Sequence, residues 1–171
     1  MPVVHVSSIV GSPPGRSLSL CWQNEDATLA FAQKLATCPA IANAYIELQG
    51  DLGAGKTSLV RHLLRALGVQ GRVKSPTYAV VEPYSIPARA DRQALDIWHF
   101  DFYRFNEPRE WEDAGFRDLF AAPGLKLAEW ADKARAVLPL ADLTIQLEAH
   151  ADETRQVTLT AHTTTGLELL A

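Results

Sequence analysis

The 171-residue sequence is short of several things, and each shortage removes a class of protein. Cysteine occurs twice, at Cys21 and Cys38, with no CxxC and no Cys/His spacing. That excludes a disulfide framework and a structural zinc site. No apolar run approaches the roughly 18 residues of a membrane span. The opening "MPVVHVSSIVGSPPGRSL" lacks a charged n-region followed by a long apolar stretch, so no signal peptide is expected. Basic residues are not in excess: 16 Lys and Arg against 20 Asp and Glu give a net charge of −4. Such a chain is unsuited to gripping nucleic acid unaided through phosphate neutralisation. There is no internal repeat and no low-complexity tract. The expectation is a soluble, reduced, cytoplasmic protein without a membrane segment.

What is present is an ordinary globular composition, 47% apolar, at the length of one domain. Residues 1–16 hold Gly, Ser and a Pro-Pro pair and read as a loose extension, leaving residues 17–171 as a single domain. "SLSLCW" (17–22) alternates as a strand. Asn24 is placed to cap a helix through "EDATLAFAQKLAT", which has acids in its first turn. "AYIEL" (44–48) reads as a strand, and a helix follows with Leu59, Val60, Leu63, Leu64 and Leu67 on one stripe, ended by Gly68. Pro87 to Arg92 reads as a surface loop. "DIWHFDFYRF" alternates, which puts Ile97, His99, Asp101 and Tyr103 on one strand face and Arg104 on the other. "EPREWEDAGFRDLF" reads as helical and "LKLAEW" (125–130) as a strand. "LTIQLEA" and "RQVTLTA" form a candidate antiparallel hairpin. The pattern predicts a three-layer α/β domain with a mixed, partly antiparallel central sheet.

Between the strand at 44–48 and its helix lies "GDLGAGKT", residues 50–57, which fits G-x-x-x-x-G-K-[ST]. Glycines let the backbone curl and turn its N–H groups inward around a polyphosphate. Lys56 can reach the β and γ phosphates, and the Thr57 hydroxyl suits Mg²⁺. The helix presents its positive end to the same anion. A chance strand-turn-helix match is the bland alternative; the flanking elements favour the P-loop. Mg²⁺ needs a further acidic contact, with two candidates. Glu129 ends "LKLAE", where a Walker-B-type acid belongs, and Asp101 lies in the apolar "HFDFYR". For each, a structural ion pair competes with a catalytic role. His99 reads as a packed strand histidine, and Tyr103 and Arg104 as either core and surface positions or parts of a nucleotide-gated surface. No Asn-Lys-x-Asp guanine reader occurs, so ATP is preferred over GTP.

"GDLGAGKTS", "VKSPTYAVVEPY", "HFDFYR" and "LAEWADK", in this order, resemble the TsaE (YjeE) family of small bacterial P-loop ATPases, across roughly residues 20 to 160. The resemblance implies a central sheet flanked by helices, the nucleotide at its edge, and a role in threonylcarbamoyladenosine formation on tRNA. It implies that Leu52, Gly53, Ala54, Gly55, Lys56 and Thr57 hold the ATP phosphates. Thr57 and Glu129 would hold Mg²⁺, with Asp101 and Lys56 acting at the γ-phosphate. Ser75-Pro76-Thr77 matches a switch-like segment, and Glu25 in "NEDAT" falls near the base and ribose. The implied partners are the TsaB and TsaD proteins, with tRNA reached only through their complex. Three departures stand out. Thr57-Ser58 replaces the common Thr-Thr, Asp132 is the nearest acid to the family's second Glu, and residues 1–16 and 87–92 look like additions. Two readings from other classes remain open. One is a nucleotide-gated binding subunit with negligible turnover. The other is a small-molecule kinase, whose arginine-bearing lid would have to use Arg89 and Arg92.

Overall fold

The computed structural model describes residues 5–8, 15–76, 79–106 and 115–171. Eight strands form one sheet in the order β1-β2-β8-β7-β3-β6-β5-β4. They are β1 (His5–Ser8), β2 (Arg16–Trp22), β3 (Tyr45–Gln49), β4 (Val81–Ile86), β5 (Leu95–Asp101), β6 (Leu125–Glu129), β7 (Leu143–Ala149) and β8 (Arg155–Ala161). The four central strands β7, β3, β6 and β5 are parallel, and the flanking pairs are antiparallel. The expected hairpin is β7–β8. Where the sequence suggests a loose extension, His5–Ser8 pairs with β2 at the sheet edge. Pro83 lies in β4, the opposite edge strand, where a missing N–H costs the sheet least.

The helices are α1 (Glu25–Thr37), α2 (Lys56–Leu67), α3 (Phe116–Ala121) and α4 (Thr164–Leu170). Asn24 caps α1 as expected, accepting from the Ala27 N–H at 3.1 Å. Alternation along the strands splits the core between the sheet's two faces. Ile46, Leu48, Ile97, Leu125 and Leu127 pack with Leu59, Leu63, Leu64 and Leu67 of α2 and with α1 and α4. Tyr45, Phe100 and Ala128 face the other way, against Phe102, Phe105, Phe116, Ala131 and Ala134. These are the three layers, with the second face covered by α3 and irregular chain rather than by long helices.

Three expectations change in detail. The helix expected over 107–120 is described only from Phe116, and residues 107–114 lie outside the described residues. β5 ends at Asp101, so Tyr103 does not continue its alternation. The Phe102 N–H instead donates to the Glu129 carbonyl at 3.1 Å, and the chain turns there. β6 ends at Glu129 because Trp130 takes a left-handed conformation, φ 58°.

Candidate functional site: a phosphate-loop cavity at the carboxyl ends of the parallel strands

β3 runs into the loop, α2 leaves it, and the carboxyl ends of β5 and β6 stop alongside. In open α/β sheets this edge is where ligands bind. A cavity of about 370 Å³ opens here. Leu52, Gly53, Gly55, Lys56, Thr57 and Ser58 form its loop wall. Asp101, Tyr103, Arg104, Glu129, Trp130, Ser75 and Arg155 form the rest.

Two glycines have steric reasons to be there. Gly50 has φ 145°, and a Cβ on it would lie 2.4 Å from the Leu147 carbonyl oxygen of β7. Gly55 has φ 106°, and its Cβ would meet the Arg155 guanidinium at 2.8 Å. Gly55 is also the N-cap of α2 and offers no side-chain cap, so the helix start faces the cavity with its backbone. Ala54 is buried beneath the loop and does not line the cavity.

Lys56 is 5% exposed. Its ammonium donates to the Gly50 carbonyl and, at 2.9 Å, to the Asp51 carbonyl. It also lies 4.4 Å from the centre of the Trp130 ring, a cation–π distance. Burial holds its pKa below the ordinary lysine value, opposed by the charges of Glu129, Asp101, Asp51 and Asp132.

Glu129 sits at the centre of the acidic wall, 2% exposed. The Thr57 hydroxyl donates to its Oε1 at 3.1 Å, and His99 Nε2 lies 2.7 Å from its Oε2. An ionised carboxylate only accepts, so the proton of that second bond resides on the imidazole. His99 is therefore packed in the strand, as expected, and also orients the acid. Asp101 is in register with Glu129 across the parallel β5–β6 pair. Its peptide N–H donates to the Val80 carbonyl at 2.8 Å, and its Oδ1 accepts from the Tyr103 N–H at 2.9 Å. Burial raises the Asp101 pKa above the ordinary value, the Tyr103 bond opposes that, and the neighbouring Glu129 charge adds to it.

A hard cation takes oxygen ligands. The Thr57 hydroxyl and the Glu129 carboxylate are oxygen donors already in contact, with Glu129 steadied from behind by His99, so the pair fits Mg²⁺. The glycine-rich turn, the helix start and Lys56 fit an anion beside it.

Glu25 is not among the residues lining the cavity. It accepts from His62 at 2.7 Å and from Arg155 at 3.2 Å. The His62 hydrogen bond, ahead of Arg155, holds its pKa below the usual carboxylate value. Its link to the cavity runs through Arg155. Arg104 lines the cavity as well, where a regular strand would have turned it away. Ser75 of the Ser75-Pro76-Thr77 segment lies on the wall, while Thr77 is outside the described residues. Val80, which closes the return to β4, has φ 64°, unusual for a β-branched residue. Asp132 is exposed and Arg92 donates to the Leu67 carbonyl at the end of α2; neither lines the cavity.

Two contributors escaped the sequence reading. Arg155 starts a strand and is brought in by the β2–β8–β7 register, a long-range fact. Trp130 was quoted in a motif, but its left-handed backbone, which swings the ring over Lys56, leaves no local signal.

The TsaE model, described as threonylcarbamoyl adenosine biosynthesis protein TsaE, matches residues 22–157. The "tRNA threonylcarbamoyladenosine biosynthesis protein TsaE" of Haemophilus influenzae is 41% identical over 141 residues, 82% of this chain and 85% of that protein. The protein of the same name from Bacillus subtilis is 34% identical over 138 residues, 81% and 82% of the two chains. The crystal structure of Bacillus subtilis YdiB superposes with a TM-score of 0.71 at 28% identity, covering 93% of this chain and 95% of that one. On motif order, fold and these relatives together, the chain belongs to the TsaE family.

Proposed function

We propose that the cavity binds ATP with Mg²⁺ and hydrolyses it, and that this turnover serves threonylcarbamoyladenosine formation on tRNA together with TsaB and TsaD. The observation that carries the reading is the chain Thr57–Glu129–His99, which meets the glycine-rich loop at the carboxyl edge of the sheet.

In this reading the backbone from Leu52 to Thr57 cradles the phosphates, with Ala54 buried to hold the curl. Lys56 exchanges its carbonyl partners for the β and γ phosphates. Thr57 and Glu129 would hold Mg²⁺, which supplies charge neutralisation on the phosphate oxygens. Asp101 orients the attacking water and takes its proton as the new bond to the γ-phosphorus forms and ADP leaves. A pKa raised by burial suits that task. Arg155, held by Glu25, sits beside Gly55 on the nucleotide side. A net charge of −4 fits a protein that reaches tRNA only through its partners, in the cytoplasm. Among the described residues no helix is long and apolar enough to cross a membrane.

A second reading, a nucleotide-gated binding subunit with negligible turnover, draws on one observation. Asp101 Oδ1 already serves its own turn through the Tyr103 N–H. A low intrinsic rate would suit a switch. The kinase reading has less behind it, since Arg92 is committed to the end of α2.

Phosphate release measured with and without TsaB and TsaD, beside tRNA modification in the same reconstituted mixture, separates these. Stimulated turnover coupled to modification supports the enzyme. Full modification with a turnover-dead Asp101→Asn protein would leave the gated subunit.

A further inference from the structure

Glu47 is a carboxylate in the middle of β3 with 1% of its surface exposed, and the proposed reaction gives it no task. It stands opposite Ala128 of β6 and three residues before Gly50, where the phosphate loop begins. Arg135 grips it with two parallel bonds, Nη1 to Oε1 and Nη2 to Oε2, each 2.7 Å. The Tyr45 hydroxyl donates to Oε1 at 2.8 Å. Arg135 itself closes the 3-10 turn Ala131–Ala134 that Trp130 opens. Its side chain is half exposed, so it reaches inward from the surface to find this one acid.

We propose that the Glu47–Arg135 pair is a positioning latch. It ties the strand that feeds the phosphate loop to the turn that follows Glu129, and so fixes Trp130 in its left-handed conformation over Lys56. Left-handed backbone at a tryptophan is costly and persists only where its surroundings impose it. Upstream of Trp130 the constraint is β6. Downstream, the short turn gives the core the small side chains of Ala131 and Ala134 and the Lys133 N–H bond to the Trp130 carbonyl at 3.1 Å, while the Trp130 ring and, past the turn, Val137 and Leu138 pack against the same cluster by non-directional apolar contact. The bidentate fork is the contact in this stretch that resists both sliding and rotation. Trp130 in turn bears on Lys56 and, with ring centres 5.0 Å apart, on Tyr103. A loosened turn would therefore free one wall of the cavity. The consequence for catalysis rests on the nucleotide reading above; the placement of Trp130 does not.

The test uses the full chain labelled with 5-fluorotryptophan. Its four tryptophans give four ¹⁹F resonances, and Trp130→Phe assigns one of them. Arg135→Met alone strands a buried carboxylate and should lower the melting temperature. Adding Glu47→Leu removes that charge, and replacing a buried pair by apolar side chains is often neutral for stability. A purely structural pair would then be fully rescued. The latch predicts rescue of melting without rescue of geometry. The Trp130 resonance shifts and the other three stay, in protein free of nucleotide, and hydrolysis falls on the order of tenfold or more. Arg135→Lys keeps the charge but loses the fork. It should fold and move the same resonance by less, and it decides the matter should the double variant fail to fold. A Trp130 resonance unchanged in the folded variants overturns the latch. Failure of the unmutated protein to bind nucleotide would sink the functional reading alone, and the resonance would still decide the latch.

Discussion

Replacing Glu129 by Gln separates what this residue does for the fold from what it does for a metal. In the fold it accepts two hydrogen bonds, from the Thr57 hydroxyl at 3.1 Å and from the buried His99 imidazole at 2.7 Å. Glutamine has the same shape. Its amide oxygen can accept from His99 while its NH₂ group donates to the Thr57 oxygen, so both contacts survive in neutral form. It also spares the fold a buried negative charge. Stability should change by less than about 1 kcal/mol, the scale of one net hydrogen bond. Glu129→Ala differs, since it leaves the His99 N–H without a partner where water is excluded, at a cost of about 1–3 kcal/mol. Thr57 is only half-buried and can turn to water. For the reaction the two variants should converge. Each removes the carboxylate that accepts from Thr57, and loss of one preorganised charge contact typically costs 10²-fold or more in rate, about 2.7 kcal/mol at the transition state. Urea unfolding and Mg²⁺-dependent phosphate release, measured on both variants, give the comparison. A Gln variant that folds like the unmutated protein and keeps its Mg²⁺-dependent turnover would refute the assignment of the metal to Glu129 and move it to Asp101.

Asp101→Asn should keep the Tyr103 N–H bond and the fold, with ATP affinity within about tenfold, or 1.4 kcal/mol, while partner-stimulated hydrolysis is lost; thermal melts, nucleotide titration and phosphate release check it. Its pH dependence has a definite sign. Burial raises the Asp101 pKa in the folded state, so the folded protein binds more protons than the unfolded chain above the ordinary value of 3.8. Stability therefore falls as pH rises from there through the folded value, and Asp101→Asn should flatten that part of a melting-temperature profile. A profile equally steep in the variant would contradict this. Gly50→Ala should destabilise more than Gly55→Ala. The former drives a Cβ onto a backbone carbonyl of β7 and the latter onto a movable guanidinium, with about 1–2 kcal/mol of left-handed strain expected for Gly55→Ala. Chemical denaturation ranks them. Leu64→Ala, in the wholly buried stripe of α2, should cost about 2–5 kcal/mol in the same assay.

Much of the fold could be read locally because its signals are local. The α2 stripe, the Asn24 cap and the alternation of β7 and β8 each depend on a few neighbouring residues. The loop was legible for the same reason: glycine, lysine and threonine at fixed spacing form a local pattern. Glu129 was legible as an acid at a strand end and Asp101 as an acid within an apolar strand, yet their adjacency follows from β5 and β6 being parallel neighbours, which neither strand reveals alone. Arg104 was misplaced by extending period two beyond Asp101, where the Phe102 bond to the Glu129 carbonyl turns the chain; Tyr103 reaches the same cavity as Asp101 although the strand has ended. Glu25 was placed at the nucleotide from its motif, whereas His62 and Arg155 hold it one residue back from the wall. Glu47 was hidden in a strand that reads as apolar. Its partner lies 88 residues away, and only the folded sheet brings them together.

The central claim is that the loop and its acidic neighbours form a Mg²⁺–nucleotide site. Calorimetric titration with a non-hydrolysable ATP analogue tests it most directly, on the unmutated protein with Mg²⁺, on the same protein with the metal chelated, and on Lys56→Ala. The account predicts saturable one-site binding that weakens without Mg²⁺ and nearly vanishes in the Lys56 variant. Binding of equal affinity in all three titrations, or none in the unmutated protein, would contradict it.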